Sequence, residues 1–140
     1  MEYLNIIIAV TNFVAFIPII ISIMMKKYIL ALFIFLTMMS SFIYHLSEHR
    51  HGLPGFIFME YSEELLFIDR VFATFAILYG VLKIINDNFK HSIDPTIFNM
   101  VGISLLFIIL SELHGNDPYY WTFYHSLWHI FAFLTFSAII

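Results

Sequence analysis

Cysteine is absent from this 140-residue chain. Its absence excludes disulfides and thiolate ligands, so any metal must be held by His, Asp, Glu or water. Charge is also scarce: Asp, Glu, Lys and Arg make up 11% of the residues, with a net charge of −4. No basic stripe exists, so nucleic acid is not an expected partner. Linkers and low-complexity tracts are missing, and residues 1–140 read as a single domain. The positive start of a signal peptide is missing as well, with Glu2 in its place. The first apolar run is long enough to span a bilayer and reads as a retained helix.

Apolar residues are what the chain has in excess. They make up 61% of it, and the mean hydropathy is +0.91, well above the usual half-apolar mix of a soluble domain. Runs near 20 residues predict an all-α, polytopic membrane bundle of about five transmembrane helices. The first runs from about Leu4 to Met25, stopping at Lys26-Lys27, with a kink expected at Pro18. The second runs from Tyr28 to about His51, where Gly52 and Pro54 stop it. The third follows Ser62-Glu63-Glu64, an N-cap with acids suited to the helix dipole, and fades after Ile85. The fourth and fifth start at Asp94-Pro95 and Asp117-Pro118, each an Asp cap with Pro at the first helical position. Short loops predict antiparallel neighbours.

Charge predicts the orientation. One side carries Lys26, Lys27, Lys83 and Lys90 against Asp87 and Asp94. The other carries Glu2, Glu48, Glu60, Glu63, Glu64, Glu112 and Asp117 against Arg50, with Asp69 and Arg70 just inside. The positive-inside rule then sets the N-terminus outside, or in a lumen, and the C-terminus in the cytoplasm.

The candidate chemistry lies inside these spans. His125 and His129 are four residues apart, about one helical turn, and point from one face. Ser41 stands one turn before His45 in the second span, and Asp69 lies in the third. Ionisable groups at membrane depth are functional candidates by default. His45 is seven residues before Gly52, Asp69 seven after Ser62, and His125 seven after Pro118. At 1.5 Å per residue each is expected about 10 Å below its own helix end, all three on the outer side. Three neutral imidazoles leave a tetrahedral Zn²⁺ one open position, the mark of a catalytic site. Such a metal lowers the pKa of water to near 7 and polarises a carbonyl. Asp69 is suited to deprotonating that water or orienting a ligand, and Ser41 to hydrogen-bonding the water or an oxyanion. An outer-leaflet site walled by Phe and Ile suits a lipid amide or ester as substrate.

Each residue also has a plainer role open to it. A lone intramembrane histidine commonly hydrogen-bonds between helices, and serine is common where helices approach closely. Asp69 is placed to pair with Arg70 or to snorkel toward the headgroups. Tyr119, Tyr120, Trp121 and Tyr124 read as an interfacial aromatic belt. His45-Leu46-Ser47-Glu48-His49 matches the H-x-x-E-H pattern of inverzincin proteases. That match lacks a large soluble scaffold and a distant third ligand, and Glu48 and His49 fall in a polar cluster with Arg50 and His51 at a span end.

Taken together, Ser41-x-x-x-His45, Asp69 and His125-x-x-x-His129 resemble the pattern of the CREST superfamily, which includes alkaline ceramidases and progestin and adipoQ receptors. Asn116-Asp117-Pro118-Tyr119-Tyr120-Trp121 leading into Tyr124-His125-Ser126-Leu127-Trp128-His129 is most similar to the transmembrane-protein-8/myomaker branch. Phe42-Ile43-Tyr44-His45, Leu66-Phe67-Ile68-Asp69 and Ile17-Pro18 before Lys26-Lys27 add to the likeness. The resemblance implies zinc on His45, His125 and His129, with Ser41 and Asp69 beside a bound water. It also implies seven helices, so this chain resembles a truncated version, the family's first three and last two. Such a version either lacks walls of the lipid cavity or completes them as a homo-oligomer.

The leading expectation is a zinc-dependent membrane hydrolase acting on a lipid amide or ester. One rival is a membrane-remodelling or structural protein whose zinc only staples helices. The other is a b-type haem protein with His45 and one of the last pair as axial ligands. His91, on the opposite side, is expected to play no part.

Overall fold

A computed structural model describes residues 3–90 and 94–140, without the side chains of residues 88–90. Glu2, His91 and the side chain of Lys90 lie outside the described residues. Among the described residues there are six α-helices: α1 (Tyr3–Thr11), α2 (Phe16–Met24), α3 (Tyr28–Ser47), α4 (Ser62–Lys90), α5 (Pro95–Leu113) and α6 (Pro118–Ile139). No strand occurs among the described residues.

The first span is one continuous path, Tyr3–Met24, interrupted by a 3₁₀ turn at Asn12–Ala15. Pro18 explains the interruption. It cannot donate to the carbonyl four residues earlier, Val14, and its ring crowds that carbonyl. The tighter turn relieves both and turns Thr11 and Asn12 toward the bundle interior.

Among the described residues, four helical stretches are long and apolar enough to cross a membrane, where five were expected: Tyr3–Met24, Tyr28–Ser47, Met59–Asp87 and Pro95–Leu113. The helix α6, expected as the fifth span, has comparable length at 22 residues but is not among them. Its histidine pair, serines and threonines make it less apolar; it packs on α1, α2, α4 and α5 and reaches α3 through its histidine and phenylalanine side chains.

The expected caps of the last two helices are present. The Asp94 carboxylate accepts from Thr96 N–H at 2.8 Å, and Asp117 accepts from Tyr119 and Tyr120 N–H at 2.9 and 3.1 Å. Ser62 instead falls inside helix as the first residue of α4, after a 3₁₀ turn at Met59–Tyr61. The helix α4 also continues to Lys90, beyond the expected fade at Ile85.

The larger correction concerns α3, which ends at Ser47 rather than near His51. Glu48 takes an extended backbone (φ −64, ψ 125) and leaves the helix. Local competition decides this. The Asn5 amide donates to the carbonyls of His45 and Glu48 at 2.8 and 2.7 Å, while Phe56 and Ile57 N–H donate to Leu46 O. The last carbonyls of α3 are thereby satisfied without another helical turn. His51 and Gly52 then reverse the chain with positive φ of 55 and 75.

Two apolar clusters hold the bundle. Ala15, Ile19, Ala31, Ile34 and Met38 join the first span to α3, with Phe133 and Phe136 of α6 against them. Leu4, Ile8, Leu53 and Trp121 close the other end. The helices α4 and α5 do not pack on each other among the described residues, so the bundle is open between them.

Candidate metal centre

Two helices bring three imidazoles together. His45 stands in the last turn of α3, and His125 and His129 are successive turns of α6. The expectation that His45 sits about 10 Å below its helix end is thus corrected, because α3 stops early. The loop after α3 covers His45 instead, with Glu48 and Leu53 buried in it. All three histidines are buried, and one ligand nitrogen from each lies within 4.8 Å of the others.

The rings form a nearly equilateral triangle. Centroid separations are 4.9 Å for His45–His125, 4.9 Å for His45–His129 and 4.8 Å for His125–His129. Interplanar angles of 60–79° turn edges inward instead of stacking faces. Each ring keeps one buried nitrogen without a partner: His45 Nε2, His125 Nδ1 and His129 Nε2. Three orphaned imidazole nitrogens in one dry layer fit a cation, since buried polar atoms otherwise find partners. The cluster can hold a metal ion. Axial imidazoles of a haem face each other across a macrocycle, whereas these three converge in mutual contact and leave no slot for one.

Ser41 and Asp69 lie beside this triangle, close enough for the Ser41 hydroxyl to act on the Asp69 carboxyl. Asp69 is not one of the three clustered ligands, and Arg70 is exposed. Both Ser41 and Asp69 line, with Asn12 and His129, a cavity of about 210 Å³. From there the cavity runs along apolar side chains, among them Ala76, Val81, Leu105 and Ile139, in the open angle between α4 and α5.

Several residues around the site are not expected there from sequence. Glu48 is fully buried, not part of a polar surface cluster. Its Oε2 lies 2.8 Å from His45 Nδ1, and its Oε1 accepts from the Tyr44 hydroxyl at 2.8 Å. Burial pushes the Glu48 carboxyl up to about 7, against the Tyr44 hydrogen bond, which pulls it down. Thr11 Oγ1 lies 3.0 Å from His129 Nδ1. His49 is exposed and outside the cluster, so the H-x-x-E-H match is no second ligand set. Its glutamate is the available signal, three residues from His45. Trp121 is no belt residue. It is buried and stacked between His51 and His125, with centroids 4.4 Å from each. Tyr119 and Tyr120 are exposed, as a belt requires.

The arrangement defines a class: an all-helical, membrane-compatible protein with a buried tri-histidine centre that opens on an apolar cavity. No protein-family model, curated protein or solved structure matches the chain.

Proposed function

We propose that this chain is a five-span integral membrane protein that binds Zn²⁺ through His45, His125 and His129 and hydrolyses a lipid amide or ester. The observation that carries the reading is one juxtaposition. The Ser41–Asp69 pair and His129 line the same cavity, which is otherwise apolar and open along the α4–α5 side. A structural zinc needs no such cavity, and a hydrolase for a soluble substrate needs no such lining. The resemblance to the CREST superfamily points the same way.

Zinc, when bound, supplies a Lewis acid for the carbonyl and brings the attacking water within reach of a carboxylate base. The rest of the chemistry belongs to the chain. Asp69 accepts the proton of the attacking water and returns it to the leaving amine or alcohol. Ser41 gives its single hydroxyl proton to the Asp69 carboxylate at rest and, once Asp69 has taken the proton of the water, turns it to the oxygen on which charge develops. Apolar side chains of α4, α5 and α6 take the acyl chain and keep bulk water out. The lysines after α2 and in α4 set the cytoplasmic side, leaving the centre in the outer or lumenal leaflet.

The test is release of fatty acid from a long-chain ceramide, or from an acyl ester, by purified zinc-loaded protein in micelles. Cleavage by the wild type, lost in Asp69→Asn with zinc retained, is the expected result. Zinc at one per chain without any cleavage would leave the second reading, a staple between α3 and α6. That reading draws on the ligand set itself, since all three nitrogens come from those two helices.

A further inference from the structure

We propose that Glu48 and Thr11, neither of them a ligand, are positioning residues that fix the tautomers of His45 and His129 so that both present Nε2 to one metal ion. This rests on the metal reading above and not on hydrolysis.

Proton accounting carries the argument. A threonine hydroxyl has a single proton. Thr11 gives it to Ile8 O, 2.6 Å away. Its contact with His129 Nδ1 at 3.0 Å therefore runs the other way, with Nδ1–H directed at Oγ1 and at the same Ile8 carbonyl, two acceptors and no donor. In a neutral imidazole that leaves the lone pair on Nε2, the buried nitrogen with no partner. His45 follows the same logic with a stronger acceptor, Glu48 in the ionised form that a bound dication beside it favours. An ionised carboxylate only accepts, and Glu48 is met by a donor on each oxygen: the Tyr44 hydroxyl on Oε1 and His45 Nδ1–H on Oε2. His45 Nε2 is then the lone-pair nitrogen, and it too is buried and unpartnered. Two independent supports thus turn two free lone pairs into the same layer. A carboxylate or hydroxyl acceptor behind a ligating histidine is how metal sites fix ring orientation and raise ligand basicity.

Charge gives Glu48 a second task. Three neutral imidazoles leave a bound dication uncompensated in a buried layer. Glu48 beside His45 and Asp69 beside Ser41 supply two negative charges against it. The helix α1 contributes no ligand, yet it braces both supports. Thr11 ends it, and Asn5, six residues earlier, holds the backbone carbonyls of His45 and Glu48.

The test is zinc affinity by chelator competition on detergent-solubilised, monodisperse full-length protein, with Co²⁺ absorption as a report on coordination. Thr11→Val keeps the shape and removes the acceptor, and should weaken zinc about 10-fold, while Thr11→Ser restores it. Glu48→Leu should weaken zinc about 100-fold and alter the Co²⁺ bands. Glu48→Gln keeps an acceptor for His45, because Tyr44 can accept from the amide. It should therefore preserve the Co²⁺ bands and lose affinity about 10-fold through the missing charge. Melting of the metal-free forms separates positioning from folding. The expected variants melt close to the wild type without zinc and differ in the increment that zinc adds. Wild-type affinity and Co²⁺ bands in all of Thr11→Val, Glu48→Leu and Glu48→Gln would overturn the proposal while the metal reading stood. A wild type that binds no zinc would overturn both.

Discussion

The two halves of this bundle are built from helices all apolar enough to cross a membrane and use them in opposite ways. In the spans Tyr3–Met24 and Tyr28–Ser47, 39% and 50% of the most apolar window is buried within the protein. In Met59–Asp87 and Pro95–Leu113 only 11% is. Hydropathy cannot tell these pairs apart, because it measures what a bilayer tolerates. What separates them is the polar residues scattered among the apolar ones. Asn5, Asn12, Ser22, Ser41 and His45 are all buried, since lipid offers them no partners and another helix does. Of the polar residues of α4 and α5, only Ser62, Ser104 and Ser111 are buried among the described residues. Nothing forces these two helices together, and the cavity stays open between them. One half, together with α6, frames the histidines and the other walls the cavity.

The sharpest way to break that contrast is to cut the frame. His125→Ala or His129→Ala should remove most bound zinc and lower the melting temperature of the zinc-loaded protein. The missing increment is about 4 kcal/mol when zinc exceeds its Kd a thousandfold. Ile77→Ala, an exposed residue on α4, should leave zinc content unchanged. Equal losses in the two halves, measured by metal analysis and melting, would erase the distinction between frame and wall.

Chemistry should divide along the same line. Asp69→Asn is expected to keep zinc and fold and to lower turnover of a cleavable lipid by about 10²–10⁴-fold, the range of a lost general base. Turnover at the wild-type rate would remove Asp69 from the reaction. Filling the wall should act on substrate alone. Ala76→Phe projects a ring into the cavity and should lower kcat/KM for a long-chain lipid about 10-fold, roughly 1.4 kcal/mol of transition-state binding. A short-chain analogue should be spared. Comparable losses on both chain lengths would mean that the acyl chain lies elsewhere.

Smaller effects sharpen where each half begins. Asp117→Ala unpairs the first turn of α6 and should cost about 1 kcal/mol, read as a lower melting temperature with zinc retained. At the start of α5, the Thr96 N–H holds the Asp94 carboxyl below its ordinary value. A carboxyl with a lowered folded pKa stabilises above its unfolded value and loses that contribution as pH falls through the folded one. Amide exchange in the first turn of α5 should therefore speed up on acidification, beyond the intrinsic pH effect, in the wild type and not in Asp94→Ala.

Much of this frame is legible in the sequence. The two Asp-Pro starts can be read because the cap and the fixed proline φ are local chemistry. The spacing of His125 and His129 can be read because four residues make a turn. The Ser41 and His45 pair follows from the same rule. The end of α3 is hidden, because the residue that stops it is Asn5, forty positions away from His45. Sequence distance also hides Thr11 behind His129, 118 residues on. Trp121 looks like a belt residue because its neighbours are, and only packing turns its face between His51 and His125. Glu48 is visible as the acid of H-x-x-E-H, but its charge argues for the surface. A buried carboxylate is legible only once its partners, Tyr44 and His45, are seen around it.

The central claim is that His45, His125 and His129 hold one zinc ion, and metal analysis joined to zinc X-ray absorption of the gently purified wild type tests it most directly. The account predicts close to one zinc per chain, with about three imidazole nitrogens and one oxygen at about 2.0–2.1 Å. Zinc below about 0.2 per chain, or an oxygen-only shell of higher coordination number, would contradict it, because a specific three-histidine site approaches full occupancy with a nitrogen-dominated shell.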